Sequence, residues 1–145
     1  MNPKAPIPKE VVVAELTLAI GQLLRRLRAE ANPDALNLSQ TSALARLEES
    51  GGMTTADLAR AESMKPQSMG TILNGLKQNG LVQCRPHPTD GRQVLFSLTA
   101  AGVEARRKRS AAKQEWLLAA LAKLDTAELQ TLTAAAALIK RLGDF

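Results

Sequence analysis

Gln67, Ser68, Thr71, Asn74 and Gln78 recur on one side of a short segment that opens with Pro66 and is flanked by Lys65 and Lys77. These are residue types that can read base edges. Glutamine and asparagine can bond adenine bidentately, serine and threonine can bond bases or phosphates, and the threonine methyl can touch the thymine methyl. Met69, Ile72, Leu73 and Leu76 fall at i, i+3, i+4 and i+7, which predicts a helix whose apolar side faces a core. An ordinary surface helix would divide the same way, so the flanking segments must decide.

Arg85, His87, Asp90 and Arg92 follow in a stretch containing Pro86, Pro88 and the turn pair Asp90-Gly91. On one side Leu81-Val82 begins a strand, which the prolines must stop or confine to an edge. On the other, Val94, Phe96 and Leu98 alternate with Gln93, Leu95 and Ser97. A guanidinium on such a hairpin suits a narrow, electronegative minor groove. Asp90 would weaken that attraction unless it orients Arg92, and the orienting role is the one expected. Upstream, Thr54 with Asp57 starts a short helix that ends near Arg60 or Ala61, and Glu62-Ser63-Met64 supplies a turn. Pro66 suits the first turn of the next helix. Short helix, turn, polar-faced helix and charged hairpin together describe a helix-turn-helix with a wing, which places one helix in the DNA major groove.

Enzymatic chemistry has no comparable support. His87 is the one histidine; there is no HExxH, CxxC or glycine-rich phosphate loop, and nothing near Cys84 and His87 suggests an oxyanion site. His87 is read as a wing residue touching phosphate or solvent, and the lone Cys84 as structural, with no partner for an intrachain disulfide. No catalytic residue, metal ligand or cofactor is expected.

The remaining elements must position this head. Pro3, Pro6 and Pro8 predict an extended or disordered arm over residues 1–10. Val13, Leu16, Ile20, Leu23, Leu24 and Leu27 mark one face of a helix from Val11 to about Glu30, closed by Asn32 and Pro33. Ser39 is read as the cap of a helix that carries Leu44 and Leu47 and stops at Gly51-Gly52. Thr99 should cap a helix from about Ala100 to Leu124, with Trp116, Leu117, Leu121 and Leu124 on its apolar face. Asp125 and Glu128 open a last helix with Leu129, Leu132, Ala136, Ile139 and Leu142. The terminal helices can pack within one chain or interlock with a second copy.

The chain of 145 residues can bury a core without metal or disulfide. Its net charge of +5 is uneven: residues 1–50 and 116–145 balance to zero, residues 53–100 carry +2 and residues 101–115 carry +3. The excess lies in the proposed reading region and the helix after it, as phosphate attraction would require. Within that helix, the consecutive Arg106, Arg107, Lys108 and Arg109 spread around the circumference; most are read as solvated, some as phosphate contacts. No apolar run reaches membrane-spanning length and no signal-like segment opens the chain, so a cytoplasmic protein with no membrane partner is expected.

From residue 11 to 145 the sequence resembles the MarR family of transcription regulators. The likeness is carried by Leu38-Ser39-Gln40, Thr54-Thr55-Ala56-Asp57-Leu58-Ala59, Pro66-Gln67-Ser68-Met69, Leu73, Leu76, Gly80-Leu81-Val82, Arg85-Pro86, Asp90-Gly91-Arg92, Val94 and Leu98-Thr99 with Gly102. The order and spacing of these pieces are specific; no single piece is. The resemblance implies a mainly α fold with a small β-wing. Residues 36–99 would form the winged helix-turn-helix lobe, and residues 11–35 and 100–145 a helical dimerisation region using Val13, Leu16, Ile20, Leu117, Leu121, Leu132, Ile139 and Leu142. It implies a homodimeric repressor of a palindromic operator, released by a small aromatic or other organic effector.

On the same likeness Gln67, Ser68, Thr71 and Asn74 face the major groove, with Pro66 opening that helix. Arg92 enters the minor groove held by Asp90, and Ser39, Lys65, Lys77 and Arg85 meet phosphates. Two departures bear on this. Residues 67–77 contain no arginine, so affinity depends more heavily on the wing. The chain has no tyrosine and only Phe96, Phe145 and Trp116 as aromatics, so aliphatic side chains would have to line an effector pocket. Two other readings remain: a constitutive architectural DNA binder, and a winged-helix adaptor that binds protein.

Overall fold

The computed structural model describes residues 6–32 and 34–145. Helices α1 (Lys9–Glu30) and α2 (Leu38–Ser50) come first. Strand β1 (Met53–Thr54), helices α3 (Thr55–Ala61) and α4 (Pro66–Gln78), and strands β2 (Val82–Pro86) and β3 (Val94–Leu98) follow. Helices α5 (Ala100–Leu121) and α6 (Thr126–Gly143) complete the chain. The fold is mainly helical with one small antiparallel sheet in the order β1-β3-β2. Pro3 and Pro33 lie outside the described residues; Pro6 precedes α1 without regular structure, and Pro8 is its N-cap, two positions earlier than the expected arm allowed.

Contacts divide the chain into two compact units, one of residues up to Ala31 with Ala112–Phe145, the other Asn32–Ala111. The central unit holds the core. Leu44 and Leu47 of α2, Leu58 of α3, and Met69, Leu73 and Leu76 of α4 are fully buried together, with Val82 and Phe96 of the sheet closing the cluster. Burying a leucine-sized side chain favours folding by about 2 kcal/mol, so this cluster is the main stabilising feature of the unit.

Local chemistry sets the element ends, with two corrections. Ser39 is not the cap of α2. Asn37 takes that place, accepting the Gln40 N–H at 2.8 Å while Gln40 Oε1 accepts the Asn37 N–H at 3.0 Å. A reciprocal pair satisfies two otherwise free backbone donors, which Ser39 with Ser42 three residues on could not do. Helix α5 ends at Leu121 rather than Leu124, in a tight turn where Lys123 and Leu124 donate to Ala120 and Leu121. The last helix starts as expected, with Asp125 and Glu128 bonded reciprocally.

The hinge between wing and α5 is built around Thr99. Its Oγ1 donates to the Gly80 carbonyl at 2.6 Å and accepts the Gly102 N–H at 3.1 Å, while its own N–H reaches the Leu81 carbonyl. Gly102 is buried there, and a Cβ on it would lie 2.1 Å from the Leu81 oxygen. Only glycine admits so close an approach of the helix to the backbone just before β2.

Candidate nucleic-acid interface

Helix α4 has the two faces its sequence predicts. Met69, Leu73 and Leu76 are fully buried and Ile72 is half-buried, while Gln67, Ser68, Thr71, Asn74 and Gln78 are exposed. Lys65 is the N-cap residue, Pro66 begins the helix, and both are exposed. The Thr71 hydroxyl donates back to the Gln67 carbonyl at 3.2 Å, which leaves its methyl and oxygen lone pairs as the groups it can offer outward.

The partner helix α3 is set first. Thr54 Oγ1 accepts the Asp57 N–H at 3.1 Å, and the Asp57 carboxylate turns to Arg60 at 2.9 Å instead of closing a reciprocal box. Ser63 adopts φ +54°, and the Met64 N–H returns to Ala59 to close the turn into α4. Glu62 ties this turn to α2, accepting from the Ser42 hydroxyl at 2.8 and 2.9 Å and from Arg46. Burial opposes its ionisation, but the Arg46 and Ser42 hydrogen bonds and the Arg46 charge outweigh that and hold the carboxyl below its ordinary value.

In the wing, β2 pairs with β3 so that Cys84 opposes the buried Phe96 and Arg85 opposes Leu95. Pro86 is the last residue of β2, which lies at the sheet edge, as a strand proline requires. Strand β1, too short for any alternation in its sequence, pairs with the far side of β3. Lys77 Nζ lies 3.3 Å from Cys84 Sγ, so the end of α4 reaches the middle of β2.

At the tip, Asp90 Oδ1 accepts both the backbone N–H of Arg92 at 3.1 Å and its Nε–H at 3.3 Å, and Oδ2 accepts from Gln93. The guanidinium is directed while its side chain stays 92% exposed. Arg92 and Pro66 share a shallow cleft of about 330 Å³ with Thr54, Thr55, Gln93 and Val94, so the start of α4 and the wing face one space. Arg85 is exposed along β2, and Ser39, half-buried in the first turn of α2, is not among the residues of that cleft.

Three polar residues have roles the sequence did not disclose. Arg109 is only 5% exposed and donates to Asn32 Oδ1 at 2.7 Å; Arg106 pairs with Glu48 at 2.6 Å. Burial lowers the Arg109 pKa, the charge of Asp34 acts against that, and Arg106 adds to the lowering. These two arginines hold the lobe together and are not free for phosphate, whereas Arg107 pairs locally with Glu104 and Lys108 is exposed. His87, read as touching phosphate or solvent, instead folds the wing through its Nδ1. The partners of Arg106 and Arg109 are 58 and 77 residues away, beyond any local pattern.

The MarR family model matches residues 36–94. An HTH-type transcriptional regulator of Mycobacterium tuberculosis is 40% identical over 133 residues, 92% of this chain and 93% of that protein. The chain belongs to the MarR family. An HTH-type transcriptional repressor of the same species is 36% identical over 98 residues, covering 67% of this chain and 70% of that one. A crystal structure of a transcriptional regulator from Pseudomonas aeruginosa matches this MarR-family chain with a TM-score of 0.84 at 32% identity, covering 94% of this chain and 97% of the other. This chain is therefore a winged-helix, DNA-binding transcriptional regulator and not an enzyme. Among its described residues, no helix is long and apolar enough to cross a membrane.

Proposed function

We propose that this MarR-family regulator acts as a homodimeric repressor on a palindromic operator. In this reading Gln67, Ser68, Thr71 and Asn74 meet base edges in the major groove. Arg92, directed by Asp90, enters the minor groove, and Ser39, Lys65, Lys77 and Arg85 meet phosphates. The observation that carries it is the pairing on one lobe of an outward polar helix face with a directed, almost fully exposed guanidinium. A purely structural surface has no need to hold an arginine outward by two bonds from one carboxylate.

Dimerisation is supported by the apolar surface of the other unit. Val13, Ile20, Leu132, Ile139 and Leu142 are 36–63% exposed, and an apolar groove of about 370 Å³ runs between Val12 and Leu16 of α1 and Leu138 and Leu142 of α6. Leu117 and Leu121 of α5 are half-buried in the same unit. So much exposed aliphatic surface on helix faces marks an association site. A two-fold axis then gives two reading heads and a palindromic site. The related repressor supports repression, and release by a small organic effector rests on the family likeness alone.

The test is binding of the purified protein to the DNA upstream of its own gene, against a scrambled duplex, at about 150 mM salt. Selective binding at a stoichiometry of two chains per duplex is expected. Equal weak binding to both duplexes favours an architectural role, and no binding even at low salt removes the proposal.

A further inference from the structure

His87 Nδ1 faces three donors of the wing tip. The backbone N–H groups of Thr89 and Asp90 lie 3.2 and 3.1 Å away, and the Thr89 hydroxyl 3.3 Å. Two backbone N–H groups can only donate, so Nδ1 must accept and the ring proton of the neutral imidazole sits on Nε2. The His87 N–H donates in turn to the Gln93 carbonyl, and the Gln93 N–H to the Asp90 carbonyl, both at 3.0 Å. The ring nitrogen thus anchors the backbone of Asp90, and the carboxylate of Asp90 anchors Arg92.

We propose that His87 is the positioning residue of the wing: unprotonated Nδ1 fixes Asp90, Asp90 fixes Arg92, and protonation of the ring releases the arginine and weakens DNA binding. Imidazole is the side chain most often used as a proton-sensitive element in proteins, so a pH series probes this ring directly. A proton on Nδ1 would point at two N–H groups and turn attraction into repulsion. The charged residues nearest to it along the chain are Arg85, Asp90 and Arg92, all of the wing; the Asp90 carboxylate is already committed to Arg92 and Gln93. The hydrogen bonds of His87 come from the wing itself. The inference rests on the DNA-reading role proposed for Arg92, but the state of the turn can be measured without DNA.

The sign of the pH effect separates this role from simple charge. A histidine that merely touched phosphate would strengthen binding on acidification, because it gains a positive charge. A positioning histidine weakens it. Between about pH 7.5 and about pH 5.5 the native protein is expected to lose about tenfold in affinity for a duplex selected from random sequence. His87→Asn should bind like the native chain at the higher pH and show no such loss, since Asn Oδ1 occupies the place of Nδ1 and does not titrate. His87→Ala should bind weakly at both.

Nitrogen NMR of the one imidazole gives the second readout. The Nε2–H tautomer is expected, with the Thr89 and Asp90 amides shifting at the midpoint of the ring. An Nδ1–H tautomer, indifferent amides, binding that strengthens with acid, or identical pH profiles for native and His87→Asn proteins would each overturn the proposal. If the native protein binds no DNA at any pH while the amides follow the ring, the wing turn stands and the DNA reading fails, taking the regulatory half of the inference with it.

Discussion

Residues 32–111 bury Leu44, Leu47, Leu58, Met69, Leu73 and Leu76 almost completely, whereas α1, α6 and residues 112–121 of α5 contain no buried residue. Both regions are built from helices with apolar residues at intervals of three and four. The difference lies in what meets those residues. In the central unit, three helices and a sheet converge on one cluster, and polar side chains of Glu62, Arg106 and Arg109 tie its edges. In the terminal unit the aliphatic faces of α1 and α6 stay open to solvent. An amphipathic stripe therefore states that a helix will be covered, and not by which chain. The reading lobe is completed by its own sequence; we read the helical unit as completed by a copy of itself.

The most damaging single change is expected in the central unit, at Gly102. Its Cβ would lie 2.1 Å from the Leu81 oxygen, so Gly102→Ala must push α5 away from the wing and strain the Thr99 hinge. A loss of about 3 kcal/mol is expected, in the range of an overpacked core. The comparison sharpens if two probes are followed during denaturation. Amide exchange at Leu73 and Leu76 reports the lobe, and the fluorescence of Trp116, which stacks with Arg26 at 5.8 Å, reports the other unit. Equal protection of Leu73 and Leu76 in both proteins would show that Gly102 does not approach the Leu81 carbonyl so closely.

The terminal unit is broken by charge. Ile139→Glu with Leu142→Glu places carboxylates on its exposed apolar face and should convert a dimer into a monomer in sedimentation, with the wing and α4 resonances unchanged. Affinity for a palindromic duplex should then fall by about a hundredfold, because two linked heads become two separate ones. A monomeric native protein would instead assign these faces to another occupant.

A smaller effect is expected at Arg92, whose replacement by alanine should lower DNA affinity by about tenfold and reduce the salt slope by about one, without changing stability. Unaltered DNA binding would count against Arg92 as a DNA contact. Asp90→Asn keeps a hydrogen-bonding group at the tip but removes its charge, and should cost less affinity than Arg92→Ala.

Much of the fold was readable because it depends on near neighbours. The polar and apolar faces of α4, Pro66 at its start, the Asp90-Gly91 turn and the Asp125–Glu128 box are all patterns within a few residues. The cap of α2 was also present in the sequence, in the spacing of Asn37 and Gln40, though Ser39 competes because serine caps nearly as well. What could not be read depends on residues that meet late. Strand β1 exists through β3, some forty positions on, and its two residues carry no pattern. Arg109 lies in a run of four basic residues read as mostly solvated with some phosphate contacts; the loop carrying Asn32 decides which one is buried. For His87 the missing information was orientation: ring nitrogen and turn backbone must be placed before an acceptor can be distinguished from a phosphate ligand. The proposed DNA contacts follow the same division. Arg92 and Asp90 are close in sequence and meet, whereas Ser39 was assigned by likeness and has no place in the cleft that Arg92 shares with α4.

The smallest expected effect lies at Glu62, and it tests whether polar ties, and not only apolar burial, distinguish the central unit. Burial disfavours the Glu62 carboxylate, but hydrogen bonds from Arg46 and Ser42 with the Arg46 charge prevail, so folding lowers its pKa. A carboxyl with a depressed folded value binds its proton more readily when unfolded. Its stabilising contribution is present in full above the unfolded value and disappears as pH falls through the folded one. Glu62→Gln keeps an acceptor for Ser42 but removes the charge that Arg46 meets and the proton that titrates. Its urea midpoint should therefore lie slightly below that of the native protein at neutral pH, and the gap should close on acidification as the native protein loses what the variant never had. The closing gap should be seen in the amides of α2 and α3, which Glu62 joins, and be absent from Trp116 fluorescence. A gap that stays constant with pH would mean that Glu62 serves by shape alone, and that the lobe differs from the helical unit only in how much apolar surface it hides.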